Sequence, residues 1–177
     1  MTIKTIIRMG HPTLRLQAEP YPANMIRSPE FKTLIEDMRD TLEDSGGIGL
    51  AAPQINISTQ VVVVEIEDSS TRYGEIQQVP FSVYVNPVVT IVDETAEGYW
   101  EGCLSVPGMM GFVERPQHVR IDYLDEDGSS QTAEYKGFLA TVIQHEFDHL
   151  HGKLYIDRMR DPTLFSFEEE YLEYHQG

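Results

Sequence analysis

Cysteine is nearly absent from this chain. Cys103 is the only one in 177 residues, so no intrachain disulfide framework can form. Long apolar runs are missing too, and nothing approaches the roughly 20 residues of a membrane-spanning helix. Residues 1–10 lack the unbroken apolar stretch and small-residue cleavage site of a secretory signal. Basic residues are scarce, 13 against 29 acidic ones, and a formal charge of −16 repels phosphate backbones. There is no internal repeat and no low-complexity linker to mark a boundary. These deficits predict one domain over 1–177, cytoplasmic, with no membrane association and no dedicated nucleic-acid binding. The length is enough to bury a core without staples.

What is present reads as helix, several strands, then helix. The first helix is predicted over 28–45, with Ser28 as N-cap, Pro29 in the first turn and Glu30 at the positive end. Phe31, Leu34, Ile35, Met38 and Leu42 recur at helical spacing, and Gly46 and Gly47 stop the run. The β-branched run 61–66 reads as a strand. Phe81, Val83 and Val85 alternate with Ser82, Tyr84 and Asn86, which predicts a half-buried strand closed by Pro87, with a further strand over 88–92. Val119, Ile121 and Tyr123 alternate with Arg120 and Asp122. Asp127-Gly128 marks a hairpin whose return strand is 131–135. A second helix is predicted over 137–151, with Gly152 as its stop. The pattern is α+β, mostly antiparallel strands around a central helix, and not a doubly wound parallel sheet.

That second helix carries His145-Glu146-Phe147-Asp148-His149. Two histidines four apart share a helix face, so one metal ion can take both imidazoles. Glu146 is poised to hold a metal-bound water and not to ligate. The string alone is a weak signal, and a charged surface helix is the bland alternative. The register argues against it: Phe138, Leu139, Val142, Ile143 and Leu150 share the arc of His145, Glu146 and His149, while Gln144 and Asp148 point away. Buried ionisable groups need partners, either a metal or core hydrogen bonds.

Two candidates exist for a third ligand. Cys103 follows Gly102 in Trp100-Glu101-Gly102-Cys103-Leu104-Ser105, before a loop at Pro107-Gly108. Glu168, Glu169 and Glu170 lie about twenty residues past His149, a spacing some zinc proteases use; a solvated acidic tail is the plainer reading of that run. A third constellation, Gly47-Ile48-Gly49-Leu50-Ala51-Ala52-Pro53-Gln54, follows the first helix. No Lys-Ser/Thr follows it, so it is no phosphate loop. Its small residues permit close backbone approach, and its glutamine can donate to a carbonyl oxygen.

Taken together and in this order, residues 47–54, 101–105 and 145–149 resemble the three motifs of the peptide deformylases. Gly10-His11-Pro12-Thr13-Leu14-Arg15 and Asn86-Pro87 also fit, so the resemblance spans essentially the whole chain. It implies a metal-dependent hydrolase that removes the N-formyl group from the initiator methionine of nascent polypeptides, giving formate and a free amine. It implies Cys103, His145 and His149 as ligands, Glu146 as general base and acid, and Gln54 with the Leu104 main-chain N–H at the oxyanion. Fe²⁺ is the implied native ion, with Zn²⁺, Ni²⁺ or Co²⁺ as alternatives. N-formylmethionyl peptides are the implied partners, with a transient ribosome contact.

Three protein ligands leave one position open, as catalytic sites require, and a thiolate suits iron or zinc better than magnesium or calcium. Phe138, Thr141 and Val142 precede His145 on roughly its own face. With Tyr99 they are expected to line an apolar slot for methionine, and Glu101 is assigned to the same substrate site. The peptide backbone is expected to pair with Gly47, Ile48, Gly49 and Leu50 as an added strand. The chain departs from the family where bacterial members often carry an arginine, here Met109-Met110-Gly111, and His151 replaces the frequent Asp or Asn. No basic ribosome-docking tail is present. Arg115 is kept, and is expected to pair with Asp148 on the outer face of the metal helix. Rival readings are a zinc endopeptidase using the downstream glutamates and a non-catalytic peptide-binding module on the same fold.

Overall fold

The computed structural model describes residues 2–66, 70–71, 74–75 and 78–176. Ser28 Oγ accepts the Phe31 N–H at 3.1 Å and opens helix α1 (Pro29–Ser45); Gly46 ends it in the left-handed region at φ +64°. The predicted stripe, Phe31, Leu34, Ile35, Met38 and Leu42, is buried.

The strands are β1 (Gly49–Ala51), β2 (Val61–Ile66), a short pair β3 (Ser70–Thr71) and β4 (Gly74–Glu75), then long β5 (Val79–Cys103), β6 (Val106–Leu124) and β7 (Ser130–Lys136). Helix α2 (Phe138–Leu150), strand β8 (Phe165–Phe167) and helix α3 (Glu168–Tyr174) complete the chain. The main sheet runs β1-β2-β5-β6-β7 with β8 on β6, and every pairing is antiparallel. This is the expected α+β arrangement.

The sheet lies between the two long helices. On β2, Val62, Val64 and Ile66 pack with Leu139, Val142 and Ile143 of α2, while Val61 and Val63 pack with the α1 stripe. A strand buried on both faces shows no alternation, which is why 61–66 is continuously apolar. The start of β5 behaves alike: Val83 and Val85 face α1, and Tyr84 is fully buried against Phe147 on the α2 side. The half-buried reading of that strand is therefore corrected. Its Tyr84 hydroxyl stays satisfied through the Tyr135 hydroxyl, 2.6 Å away. Nor does Pro87 close the strand. Asn86 takes φ +51°, the register against β6 shifts between Val85 and Val88, and β5 bends and runs on to Cys103. That continuation carries the cysteine back under α2.

The β6–β7 hairpin turns at Asp127-Gly128 as predicted, with Gly128 at φ +76°. The acidic end, for which sequence offered no element, adds β8 to Met109–Gly111 of β6 and seats Tyr171 and His175 on the Trp100 ring.

Candidate active site

Eleven of the thirteen residues of α2 are buried, so the helix is a core element with no solvent face of ordinary width. Its two histidines meet Cys103 from the end of β5. Cys103 Sγ lies 3.5 Å from His149 Nε2, and one ligand atom from each of Cys103, His145 and His149 falls within 4.8 Å of the others. Glu168, Glu169 and Glu170 are not part of this group. They form the first turn of α3, which removes the basis of the downstream-glutamate reading.

The fit to a metal can be tested on the donors. An ion with bonds of ~2.0–2.3 Å to nitrogen and sulfur in tetrahedral geometry sets neighbouring ligands about 3.5 Å apart. The Cys103–His149 separation matches. His145 Nδ1 is 2.7 Å from Glu101 Oε2; a carboxylate only accepts, so Nδ1 carries a hydrogen and Nε2 is the ring nitrogen that would bind a metal. Burial pushes the Cys103 thiol up, but His149 and His145 beside it outweigh this and bring it down to about 5. A thiolate and two imidazoles are the donors a soft divalent ion takes, and one position remains for another ligand. The residues fit a metal.

Gln54 is buried, and its amide orientation follows from its partners. Its Oε1 accepts the Ala51 N–H at 2.8 Å, so Nε2 points the other way, 3.2 Å from Ser105 Oγ and 3.6 Å from Cys103 Sγ. Glu146 is also buried, and its Oε2 has no hydrogen-bond partner among the described residues. Burial is the main cause that raises its pKa above the ordinary glutamate value, opposed by His145 and His149. The carboxylate rests against Gly49, where an added Cβ would come within 2.5 Å of Oε1. Gly49→Ala is therefore expected to push Glu146 aside and lower turnover about 10²-fold, as small misplacements of catalytic groups do. Metal content should stay near parent, and steady-state kinetics with elemental analysis checks both.

A cleft of ≈ 490 Å³, open to solvent, runs past these groups. Gly47, Ile48, Gly49, Gln54, Glu101, Leu104, Phe138, Thr141, Val142, His145 and Glu146 all line it, with Cys103 at its base. Two expected residues lie outside that lining. Leu50 is fully buried in the α1-side core, whereas Gly49 before it lines the cleft. Tyr99 packs edge-on to Phe138, with centroids 5.2 Å apart, and touches the cleft only through that ring. Met109 and Met110 are not among the lining residues either; they pair with β8, and Met110 is buried.

Sequence reasoning missed what holds the ligands. Glu101 lines the cleft, yet its carboxylate also grips two neighbours. It accepts from His145 and takes a forked pair from Arg115, Nε–Oε1 2.7 Å and Nη2–Oε2 3.1 Å. Burial pushes Glu101 up, but His145 and Arg115 outweigh it and hold the carboxyl below its usual value. Arg115 also donates to Asp148 Oδ2 at 2.9 Å, the pairing expected from sequence. The expected outer face is corrected: Asp148 and Arg115 are each about 95% buried, because Arg158 closes over the carboxylate. Burial alone pushes Asp148 up; Arg158 and Arg115 reverse it. Tyr155 stacks on the His145 ring at 6.0 Å. No local pattern in the sequence marks Arg158 or Tyr155, since both arrive through the loop after α2.

The comparisons agree with this geometry. Residues 3–164 match the polypeptide deformylase family. A peptide deformylase of Leptospira biflexa is 42% identical over 170 residues, covering 96% of this chain and 95% of that protein. Peptide deformylase 2 of Pseudomonas syringae pv. tomato is 45% identical over 165 residues, 93% and 92% of the two chains. Among solved structures, a Met-Ala-Ser-bound class I type b peptide deformylase from Acinetobacter baumannii superposes with TM-score 0.84 at 34% identity, covering 89% of this chain and 99% of that one. An actinonin complex of a Synechococcus elongatus peptide deformylase gives TM-score 0.78 at 35% identity, covering 89% and 79%. With a buried Cys-His-His cluster, a glutamate on the same helix and full-length relatives of this kind, the chain belongs to the polypeptide deformylase family.

Proposed function

We infer how the residues of this chain perform the family's reaction: hydrolysis of the N-formyl amide at the N-terminal methionine of a nascent polypeptide, giving formate and a free amine. The observation that carries the reading is the buried Cys103–His145–His149 cluster beside a cleft that Gln54 and Glu146 line, with Glu146 Oε2 lacking a hydrogen-bond partner among the described residues.

Cys103, His145 and His149 would hold the ion. When bound, a divalent metal supplies Lewis-acid polarisation of the formyl oxygen and a water acidified toward neutrality. Glu146 takes the proton released when water adds to the formyl carbon. It then delivers that proton to the amine nitrogen as the C–N bond breaks, so one group serves as base and acid. Its raised pKa suits both duties better than that of an exposed glutamate. Negative charge that builds on the formyl oxygen meets the Gln54 Nε2–H and the Leu104 main-chain N–H. Gln54 is pre-oriented, because its oxygen is already committed to Ala51.

Substrate recognition follows from the cleft walls. Ile48, Phe138, Thr141 and Val142 make an apolar slot that suits the flexible methionine side chain. The peptide lies extended along Gly47–Gly49, on the strand that ends the sheet order at β1, and adds to it as a strand. The Met-Ala-Ser complex of the Acinetobacter relative supports a short peptide of this kind as ligand. The reading extends to Fe²⁺ as the native ion, supported by the thiolate donor. It extends also to the cytoplasm as the place of action and to transient ribosome contact, supported by the nascent-chain substrate.

The test is formate release from formyl-Met-Ala-Ser by protein purified anaerobically and loaded with Fe²⁺. Turnover is expected, and its absence in fully metallated protein would overturn the reading. Gln54→Ala is expected to lower kcat about 10²- to 10³-fold with little change in metal content, the usual loss for one oxyanion donor. A loss under threefold would remove Gln54 from that role.

A further inference from the structure

Two motifs remain outside the reaction: the opening Gly10–Arg15 segment and the loop after α2. They meet each other. Arg15 pairs with Asp157, whose Oδ2 also accepts the Leu154 N–H at 2.8 Å. Gly152 sits at φ +66° so close to Arg15 that a Cβ would fall 2.6 Å from the Arg15 carbonyl oxygen. The loop is thus fixed on both sides, and Arg158 follows Asp157 directly.

From there a continuous chain of charge-assisted hydrogen bonds leads inward. Arg158 forks onto Asp148, Nη2–Oδ1 2.6 Å and Nε–Oδ2 3.0 Å. Asp148 Oδ2 accepts from Arg115 at 2.9 Å, Arg115 forks onto Glu101, and Glu101 accepts from His145 Nδ1 at 2.7 Å. Asp148, Arg115 and Glu101 are buried, whereas the Arg158 side chain is 43% exposed.

The charges decide what Arg158 does. Two buried carboxylates, Glu101 and Asp148, face a single buried guanidinium. Arg115 is shared between both carboxylates, and Arg158 gives Asp148 a second guanidinium of its own. An isolated half-exposed pair would matter little. This one supplies the donor for Asp148 Oδ1, so without it the carboxylate must draw harder on Arg115. Arg115 is the group that holds Glu101 against His145.

We propose that Arg158, fixed by the Arg15–Asp157 latch, is a positioning residue that sets the His145 imidazole through Asp148, Arg115 and Glu101, and thereby slows loss of the metal. The proposal rests on the metal reading of the Cys103–His145–His149 cluster and not on the reaction assigned to it.

The test compares parent, Arg158→Gln and Arg158→Lys after loading with Co²⁺, by the rate of metal loss to excess chelator and by the visible absorption bands of the bound ion. Outer-shell partners of ligating histidines typically change metal affinity 10- to 100-fold. Arg158 stands three residues further out, and a 3- to 10-fold faster loss is expected for Gln, with shifted bands. Lys keeps the charge but loses the fork, and should fall between. Thermal unfolding of the metal-free proteins separates positioning from general destabilisation: the expected shift there is small, and the cobalt bands of a merely less stable fold would not move. Arg158→Gln combined with Glu101→Gln should release metal no faster than Glu101→Gln alone, since both act on one path. Unchanged bands and loss within twofold of parent in Arg158→Gln would overturn the proposal. A parent that takes up no metal would overturn it together with the metal reading. A metal-binding parent without formate release would sink the reaction alone.

Discussion

Replacing Glu146 by Gln is expected to lower kcat/KM for formyl-Met-Ala-Ser by about 10³-fold or more, at the upper end of general acid–base contributions. Glutamine keeps the shape that Gly49 accommodates and removes only the capacity to take and return a proton. Cys103, His145 and His149 are untouched, so metal content should remain at the parent ratio. Glu146 Oε2 has no hydrogen-bond partner among the described residues for the amide to displace. Formate release measured beside elemental analysis separates the two effects. Activity within tenfold of parent in a fully metallated variant would remove Glu146 from proton transfer. Loss of metal along with activity would instead make it a support of the ligand cluster.

Arg115→Met is expected to have the largest effect on stability. The side chain is 4% exposed and joins two buried carboxylates, Glu101 from β5 and Asp148 from α2. Removing the cation leaves charges in the interior with too little to balance them, and such changes cost about 3–5 kcal/mol. For a chain of this size that is a fall of roughly 6–20 °C in Tm. The pH dependence carries a sign of its own. In the folded parent both carboxyls are held below their usual values, because the neighbouring arginines, and for Glu101 also His145, outweigh burial. The stability they contribute is full above their unfolded values of about 4 and is lost as pH falls. Without Arg115 both move upward, so acid unfolding should begin at higher pH. Thermal unfolding of the metal-free proteins as a function of pH reads both effects. A Tm within 2 °C of parent and an unchanged acid limb would show that Arg115 is dispensable.

Much of the catalytic chemistry is legible in the amino-acid sequence. His145, Glu146 and His149 lie within five residues, and helical geometry alone brings them to one side. The α1 cap at Ser28, its stop at Gly46 and the Asp127-Gly128 turn are short-range devices that act through a few neighbouring bonds, and the chain adopts each of them as predicted. The choice between Cys103 and the glutamates near the end is different. It depends on the path of β5, which does not stop at Pro87 but bends at Asn86 and delivers its last residue to α2.

Tertiary structure alone decided the environment of the ligands. Periodicity placed Asp148 outward, because it sees one helix and cannot see that β6 and the loop after α2 close over the far side. It likewise makes the strand through Tyr84 half-buried, since alternation signals burial on one face only and β5 lies between two helices. Charge compensation among Glu101, Arg115, Asp148 and Arg158 joins residues up to 57 positions apart. Local sequence determined which atoms could bind a metal and move a proton. The packing of distant segments decided which of them are dry, oriented and held, because burial and Coulomb interactions depend on distance in space and not along the chain.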